Sequence, residues 1–440
     1  MTARQLAYEA LLKIVRDGSY SNLTLDALLQ SDPMEPREKQ FASRLFYGVL
    51  ERKITLDYQI EILTQKPVQK LDAEVAVALE LGLYQLSYMD SVPFSAAVNE
   101  SVNLIKKSRK KSASGFVNGV LRNYIRGGCK VSLPPQKDKY RCAEVEFSIP
   151  AWILRYWDRD YGWETAVSLA GACMGRPPLN LRVNTQKSTV AQVTEMLQKD
   201  GVLVESHPLI PNCLTIEQSG SISKLSGYPE GLFYVQDASS QLCAAALGAQ
   251  KGERVFDLCA APGSKSFTIA QFMENQGEIC SFDLYEHRVG LIEEGAKRLG
   301  LSCIHAKQGD ASRFDENLGQ ADRVLCDVPC FGLGIIRRKP EIKYKLQQEA
   351  DELPAIQRAI LQNGARYVKK GGVLLYSTCS LNKDENERVV EDFLQNHPDF
   401  EQDSLPEIFT KVAGKAVSQI SLSPLVGNFD GFFLSRLKRK

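Results

Sequence analysis

Residues 254–265 read Arg-Val-Phe-Asp-Leu-Cys-Ala-Ala-Pro-Gly-Ser-Lys, an apolar strand that runs into small residues before helical periodicity resumes at Ser264. A strand, a tight turn and a helix form the opening unit of an α/β sheet. Small residues let the backbone come close to a ligand, and a helix N-terminus offers free amides. A P-loop requires Gly-Lys-Ser/Thr in succession, whereas Ser264 separates Gly263 from Lys265, which disfavours an ATPase. The three-glycine dinucleotide fingerprint is missing too.

Downstream the β/α alternation continues. Strands are expected at Arg254–Leu258, Glu278–Asp283, Cys303–Lys307, Arg323–Asp327, Val373–Ser377 and Phe432–Leu437, and helices at Ser264–Glu274, Glu286–Leu299, Pro354–Lys369 and Lys383–His397. Apolar strands alternating with helices predict a parallel sheet covered on both faces, with ligands beyond the carboxyl ends of its strands.

The chemistry-bearing residues fall at those ends. Asp283 stands about 20 residues past the first turn, where an acid accepts hydrogen bonds from ribose hydroxyls, and Arg288 lies one turn into the next helix. Gly309-Asp310-Ala311 follows the third strand and places an acid at the adenine end of the same crevice. The fourth strand runs into Asp327-Val328-Pro329-Cys330-Phe331-Gly332-Leu333-Gly334, and Arg337, Arg338, Lys339, Lys343 and Lys345 beyond it are expected to meet phosphates. The fifth ends in Ser377-Thr378-Cys379-Ser380. Asn382 and Glu385 read as a capping box, which puts Cys379 ahead of a helix N-terminus that favours the thiolate.

Upstream, residues 1–128 read as an all-α bundle, with helices at Phe41–Arg52, Leu56–Leu63, Ala73–Ser87 and Ala96–Lys107, apolar spacing at Leu25, Leu28 and Leu29, and breaks such as Asp32-Pro33. Gly127-Gly128 and Pro134-Pro135 mark a linker. Residues 129–233 then carry a small α+β module with a β-α-β core, compatible with a ferredoxin-like RNA-binding sheet, and residues 234–440 form the α/β domain.

Of 440 residues, 54 are Lys or Arg and 53 Asp or Glu, a formal charge of +1 that conceals a partition. Residues 101–141 hold eleven cations against Asp138 alone, a local +10, and the other 43 basic and 52 acidic residues sum to −9. A block of that density suits a phosphate backbone. The eleven cysteines include no C-x-x-C pair and there are only four His, so no metal is expected; reduced thiols in a cytoplasmic chain fit best. No apolar run is long enough to span a membrane.

The segments Asp257-Leu258-Cys259-Ala260-Ala261-Pro262-Gly263-Ser264-Lys265, Asp327-Val328-Pro329-Cys330 and Ser377-Thr378-Cys379-Ser380 resemble the motifs of the NOL1/NOP2/Sun family of S-adenosylmethionine-dependent RNA cytosine-5 methyltransferases. Val235–Ser240 is similar to that family's helix ahead of the catalytic domain. Arg4–Leu12 and Phe46–Leu50 resemble a NusB-like RNA-binding domain. The resemblance implies a class I (Rossmann-like) methyltransferase domain, S-adenosylmethionine as cofactor and 16S rRNA as partner, with a monomer expected. It implies Cys379 as nucleophile, Cys330 in release, Asp327 on the base, and Lys265 near the cofactor carboxylate or the cytosine. Cofactor contacts would come from residues 259–265 (Cys259, Ala260, Ala261, Pro262, Gly263, Ser264 and Lys265) with Asp283, Arg288, Asp310 and Asp327. Phe331, Leu333 and Ser264 depart from the family's common Ser, Thr and Gly. The same chemistry on tRNA or large-subunit rRNA, and a non-catalytic RNA-binding factor, are the rival readings.

Overall fold

The computed structural model describes residues 1–17, 25, 27–29, 33–217 and 220–440. They fall into two compact units, Met1–Gly175 with Ile336–Lys345, and Arg176–Ile335 with Leu346–Lys440.

The first unit is helical: α1 (Ala3–Asp17), α2 (Pro36–Thr64), α3 (Ala73–Tyr88), α4 (Phe94–Lys107), α5 (Ser114–Arg126), α6 (Lys139–Phe147), α7 (Ala151–Tyr161) and α8 (Trp163–Ala172). Every residue of α3 from Val75 to Leu86 is buried, so this helix, apolar on all sides, is the centre of the bundle. Glu80, the acid within that buried stretch, is answered by Lys53 Nζ at 2.6 Å. The two helices expected over Phe41–Arg52 and Leu56–Leu63 are one, because no Gly or Pro separates them and the Lys53–Asp57 pair at 3.0 Å spans the expected break. Leu25 is buried in the same core, and the expected break at Asp32 lies outside the described residues.

Helix α6 falls beyond the expected linker; Asp138 accepts the Arg141 N–H at its start. Nine of the eleven cations in 101–141 are exposed, Lys110 and Arg141 being half-buried.

The segment Ile336–Lys345 belongs to this helical unit, which corrects one expectation. Lys343 is buried, with Nζ donating to the Glu51 carbonyl at 2.6 Å, and the Tyr344 hydroxyl donates to the Leu50 carbonyl at 2.5 Å. Lys343 is therefore committed to the α2 backbone and does not await a phosphate.

The second unit holds two sheets. The smaller has strand order β2-β3-β1-β4 and is antiparallel throughout: β1 (Leu179–Val183), β2 (Leu203–Ser206), β3 (Cys213–Glu217) and β4 (Phe233–Val235). Helix α9 (Val190–Lys199), opened by a Thr189–Gln192 capping box, packs Val193 and Leu197 onto Leu181, Val183 and Phe233. Strand β4 escaped the sequence reading because three residues carry too little periodicity. Helix α10 (Ala238–Leu247) leads into the larger sheet.

That sheet comprises β5 (Arg254–Asp257), β6 (Glu278–Asp283), β7 (Ile304–Gln308), β8 (Ala321–Asp327), β9 (Val368–Thr378), β10 (Phe400–Gln402), β11 (Gln419–Leu422) and β12 (Phe432–Arg439). Its order is β10-β12-β9-β8-β5-β6-β7, with β11 on β12. Strands β5 to β9 are parallel, and the intervening helices are α11 (Ser264–Phe272), α12 (Glu286–Leu299) and α13 (Gln347–Tyr367). The expected parallel run stops there: β12 is antiparallel to β9, because it is reached from β11 without a crossover helix. Two further helices, α14 (Glu387–Asn396) and α15 (Ile408–Ala413), complete the chain. β5 lies between β6 and β8, so strand order reverses at its carboxyl end, the place for a ligand crevice.

Candidate active site

The turn after β5 is held by the Ala260 N–H on the Phe282 carbonyl and the Gly263 N–H on the Ala260 carbonyl, both at 2.7 Å. Gly263 has φ of 104°, and a Cβ there would lie 2.5 Å from the Phe267 ring, so only glycine fits. Cys259 leads into this turn, its thiol raised by burial; Ala261 and Pro262 complete it, and Ser264 opens α11. Beneath the turn, burial pushes the Asp257 carboxyl up to about 7 while the Ser266 hydroxyl donates to it at 2.7 Å.

Asp283 ends β6, almost wholly buried. Arg288 reaches it at 3.4 Å and also donates to the Ala261 carbonyl at 3.1 Å, joining the acid to the turn. Asp310 follows β7, and hydrogen bonds from the Ser312 side chain and backbone hold its carboxyl below the ordinary range. A pocket of about 250 Å³ opens here, lined among others by Leu258, Phe282, Gly309, Asp310, Phe314 and Asn363. Asp310 and Asp315 are the acids on its wall, and Asp283 ends the neighbouring strand beside Phe282, so these residues could hold an adenosyl group, with Asp283 as acceptor for ribose hydroxyls and Asp310 beside the adenine.

One strand pair further along, Lys265 Nζ lies 2.6 Å from Asp327, and the Ser377 hydroxyl donates to the other Asp327 oxygen at 2.8 Å. Burial pulls the Lys265 ammonium down, but Asp327 outweighs it and the pKa stands above the ordinary lysine value. Lys265 thus holds the carboxylate in place.

Cys330 and Cys379 bring their Sγ atoms to 3.1 Å, and the Cys379 N–H donates to Cys330 Sγ at 3.3 Å. The bond to Cys379, burial, and the neighbouring Glu385 and Asp327 carboxylates together raise the Cys330 thiol well above its ordinary value. The loops themselves touch through the Gly334 N–H on the Cys379 carbonyl at 3.0 Å and the Gly431 N–H on the Gly334 carbonyl at 2.8 Å. A Cβ on Gly334 would lie 2.1 Å from the Gly431 oxygen.

The sequence reading misassigned Glu385. Helix α14 begins at Glu387, so Cys379 does not sit at a helix N-terminus, and Asn382 and Glu385 form no capping box. Glu385 is fully buried and accepts hydrogen bonds from the Phe331 backbone, Ser380 and Gln357. Gln357 was missed as well, although its place in the apolar register Pro354, Gln357, Ile360, Leu361 marked it as a buried polar residue. Phe331 and Leu333, two of the three departures from the family pattern, are buried core residues. Asn363 and Phe314, which line the pocket, had no signal because one sits inside helix α13 and the other is an apolar residue of the loop after β7.

A parallel core with a cofactor-shaped crevice at its switch point and a thiol pair on the adjacent strand ends defines a Rossmann-like methyltransferase. Residues 244–438 match the family described as 16S rRNA methyltransferase RsmB/F, residues 1–126 the NusB family, and residues 149–223 the ferredoxin-like domain of RsmF/B-like methyltransferases. The chain is 38% identical over 445 residues to a probable ribosomal RNA small subunit methyltransferase B of Bacillus subtilis, covering 100% of this chain and 99% of the relative. It is 36% identical to the protein of the same description in Synechocystis, with 100% of each covered. The crystal structure of PH0851 superimposes with a TM-score of 0.83 at 26% identity, covering 99% of both chains. The chain belongs to the RsmB/F family. It is an S-adenosylmethionine-dependent methyltransferase.

Proposed function

We propose that the protein methylates C5 of a cytosine in 16S rRNA through a covalent Cys379–C6 adduct. The observation that carries this reading is the thiol pair 3.1 Å apart beside a carboxylate gripped by Lys265 and Ser377. C5 of cytosine is a weak nucleophile, and thiolate addition at C6 turns it into an enamine-like carbon. Cys330 donates its hydrogen bond to Cys379 and leaves the charge on the attacking sulfur. Asp327 accepts from the N4 amino group and from N3, which takes a proton from solvent as the thiolate adds and returns it when the adduct breaks down. S-adenosylmethionine, when bound, supplies the methyl group that C5 takes up. Once Cys379 is alkylated, its hold on the Cys330 proton weakens; Cys330 releases that proton to solvent and takes the one from C5 as the C6–Sγ bond breaks. Cys379 is thereby restored as a thiolate.

The substrate reading is supported by the full-length likeness to small-subunit rRNA methyltransferases and by exposed cations in 101–141, which suit RNA phosphates. In this reading residues 1–128 and the 129–233 module engage the RNA, residues 234–440 carry the chemistry, and the base leaves its stack to reach the thiols. Bisulfite sequencing of total RNA from a deletion strain tests it. One 5-methylcytosine lost from 16S rRNA and restored by the intact gene is the expected result; a loss confined to tRNA or large-subunit rRNA contradicts it.

A further inference from the structure

We infer that Glu385, held by Gln357, is a positioning residue that braces the Cys330 and Cys379 loops against each other for methyl transfer. The inference rests on the two-thiol reading above. Glu385 Oε2 accepts the Phe331 N–H at 2.8 Å, and Oε1 accepts the Ser380 hydroxyl at 2.5 Å. Phe331 follows Cys330 directly and Ser380 follows Cys379 directly, so one carboxylate grips the residue beside each thiol.

Gln357, from α13, completes the brace on the other side. Its Nε2 lies 3.0 Å from both Glu385 Oε2 and the Pro329 carbonyl, and Pro329 immediately precedes Cys330. Cys330 is thus fixed from both flanks. The Tyr376 hydroxyl donates to the Glu385 carbonyl at 2.5 Å, which anchors the bracing residue to the end of β9.

All three groups are buried: Glu385, Gln357 and Ser380 each show 0% exposure. Burial raises the Glu385 carboxyl above its ordinary value, and the bonds from Ser380, Phe331 and Gln357 oppose that rise. A buried acid carries a desolvation penalty, so an apolar residue would serve packing better if packing were its whole task. Two loops with little regular structure need such a cross-brace, since a misplacement of about 1 Å costs about a hundredfold in rate.

Glu385→Gln retains the brace, its oxygen turned to Phe331 and Gln357 and its amide to Ser380; Glu385→Ala removes it. The test compares both with Gln357→Leu, Cys330→Ala and Cys379→Ala in the full-length chain, measuring kcat, KM for S-adenosylmethionine, and the persistence of protein–RNA adduct on denaturing gels. Expected are a kcat about a hundredfold lower in Glu385→Ala with KM for the cofactor changed less than about threefold, prolonged adduct, and recovery to within about tenfold of wild type in Glu385→Gln. Wild-type kcat in Glu385→Ala, or equal losses in the Ala and Gln variants with unaltered adduct lifetime, overturns the brace while a dead Cys379→Ala leaves the two-thiol reading standing. Activity in Cys379→Ala overturns that reading instead. Should Glu385→Ala not fold, Gln357→Leu decides: a lower kcat with prolonged adduct supports the brace, and wild-type values refute it.

Discussion

The cofactor end and the thiol end of the same sheet are built differently. At the β5–β7 end, Asp283 ends its strand and Asp310 lies two residues past the end of β7, and Asp310 takes a polar partner from within its own turn, Ser312. At the β8–β9 end the geometry depends on residues distant in sequence: Phe331 and Pro329 meet Glu385 and Gln357, while Gly334 meets Cys379 and Gly431. A ligand crevice needs shape and a few acceptors, which local turns supply. Two thiols within bonding distance need a fixed separation between loops, which only long-range contacts impose.

The contrast can be broken at each end. Cys379→Ala removes the nucleophile and lowers methyl transfer by at least about 10⁴-fold, with cofactor affinity unchanged, measured by steady-state turnover and calorimetric titration. Full turnover in that variant would abolish the division between the two ends. Asp283→Ala acts on the other end: loss of a charged acceptor weakens cofactor binding about ten- to a hundredfold, while turnover at saturating cofactor falls little. An equal fall in saturated turnover would show that the ends are not separable.

The smallest effect concerns the arm that continues from the thiol loop and is held in the helical unit. Burial pushes the Lys343 amine down to about 7 from 10.5. Between those values the unfolded chain binds more protons than the folded one, so this residue's contribution to stability rises with pH above about 7 and is lost as pH falls through it. Lys343→Met removes that contribution. The expected readout is a smaller rise in Tm from pH 7 to pH 9 than in wild type; identical slopes would show that Lys343 does not titrate there.

The sequence carried the fold through features that repeat locally. Apolar strand runs marked β5, β6, β8 and β9 because burial on both faces demands them, and Asp283, Asp310, Asp327, Cys330 and Cys379 were visible because each ends a strand or lies a few residues past one. What escaped has a common cause. Glu385 sits in a polar stretch, Lys383-Asp384-Glu385-Asn386-Glu387, where a solvated helix start and a buried acceptor look alike. Lys343 lies in a cationic run that reads as a phosphate site until its ammonium is seen on the Glu51 carbonyl. Strand β12 carries the right apolar pattern, but direction is set by the connection before it and not by its own residues.

The central claim is that Cys379 forms the bond to the base and Cys330 frees it. It is tested most directly with Cys330→Ala protein incubated with S-adenosylmethionine and 16S rRNA substrate, separated under denaturing conditions, digested and mapped by mass spectrometry. The account predicts a persistent protein–RNA adduct whose nucleotide is carried by Cys379. An adduct on another residue, or rapid turnover with no adduct, would contradict it.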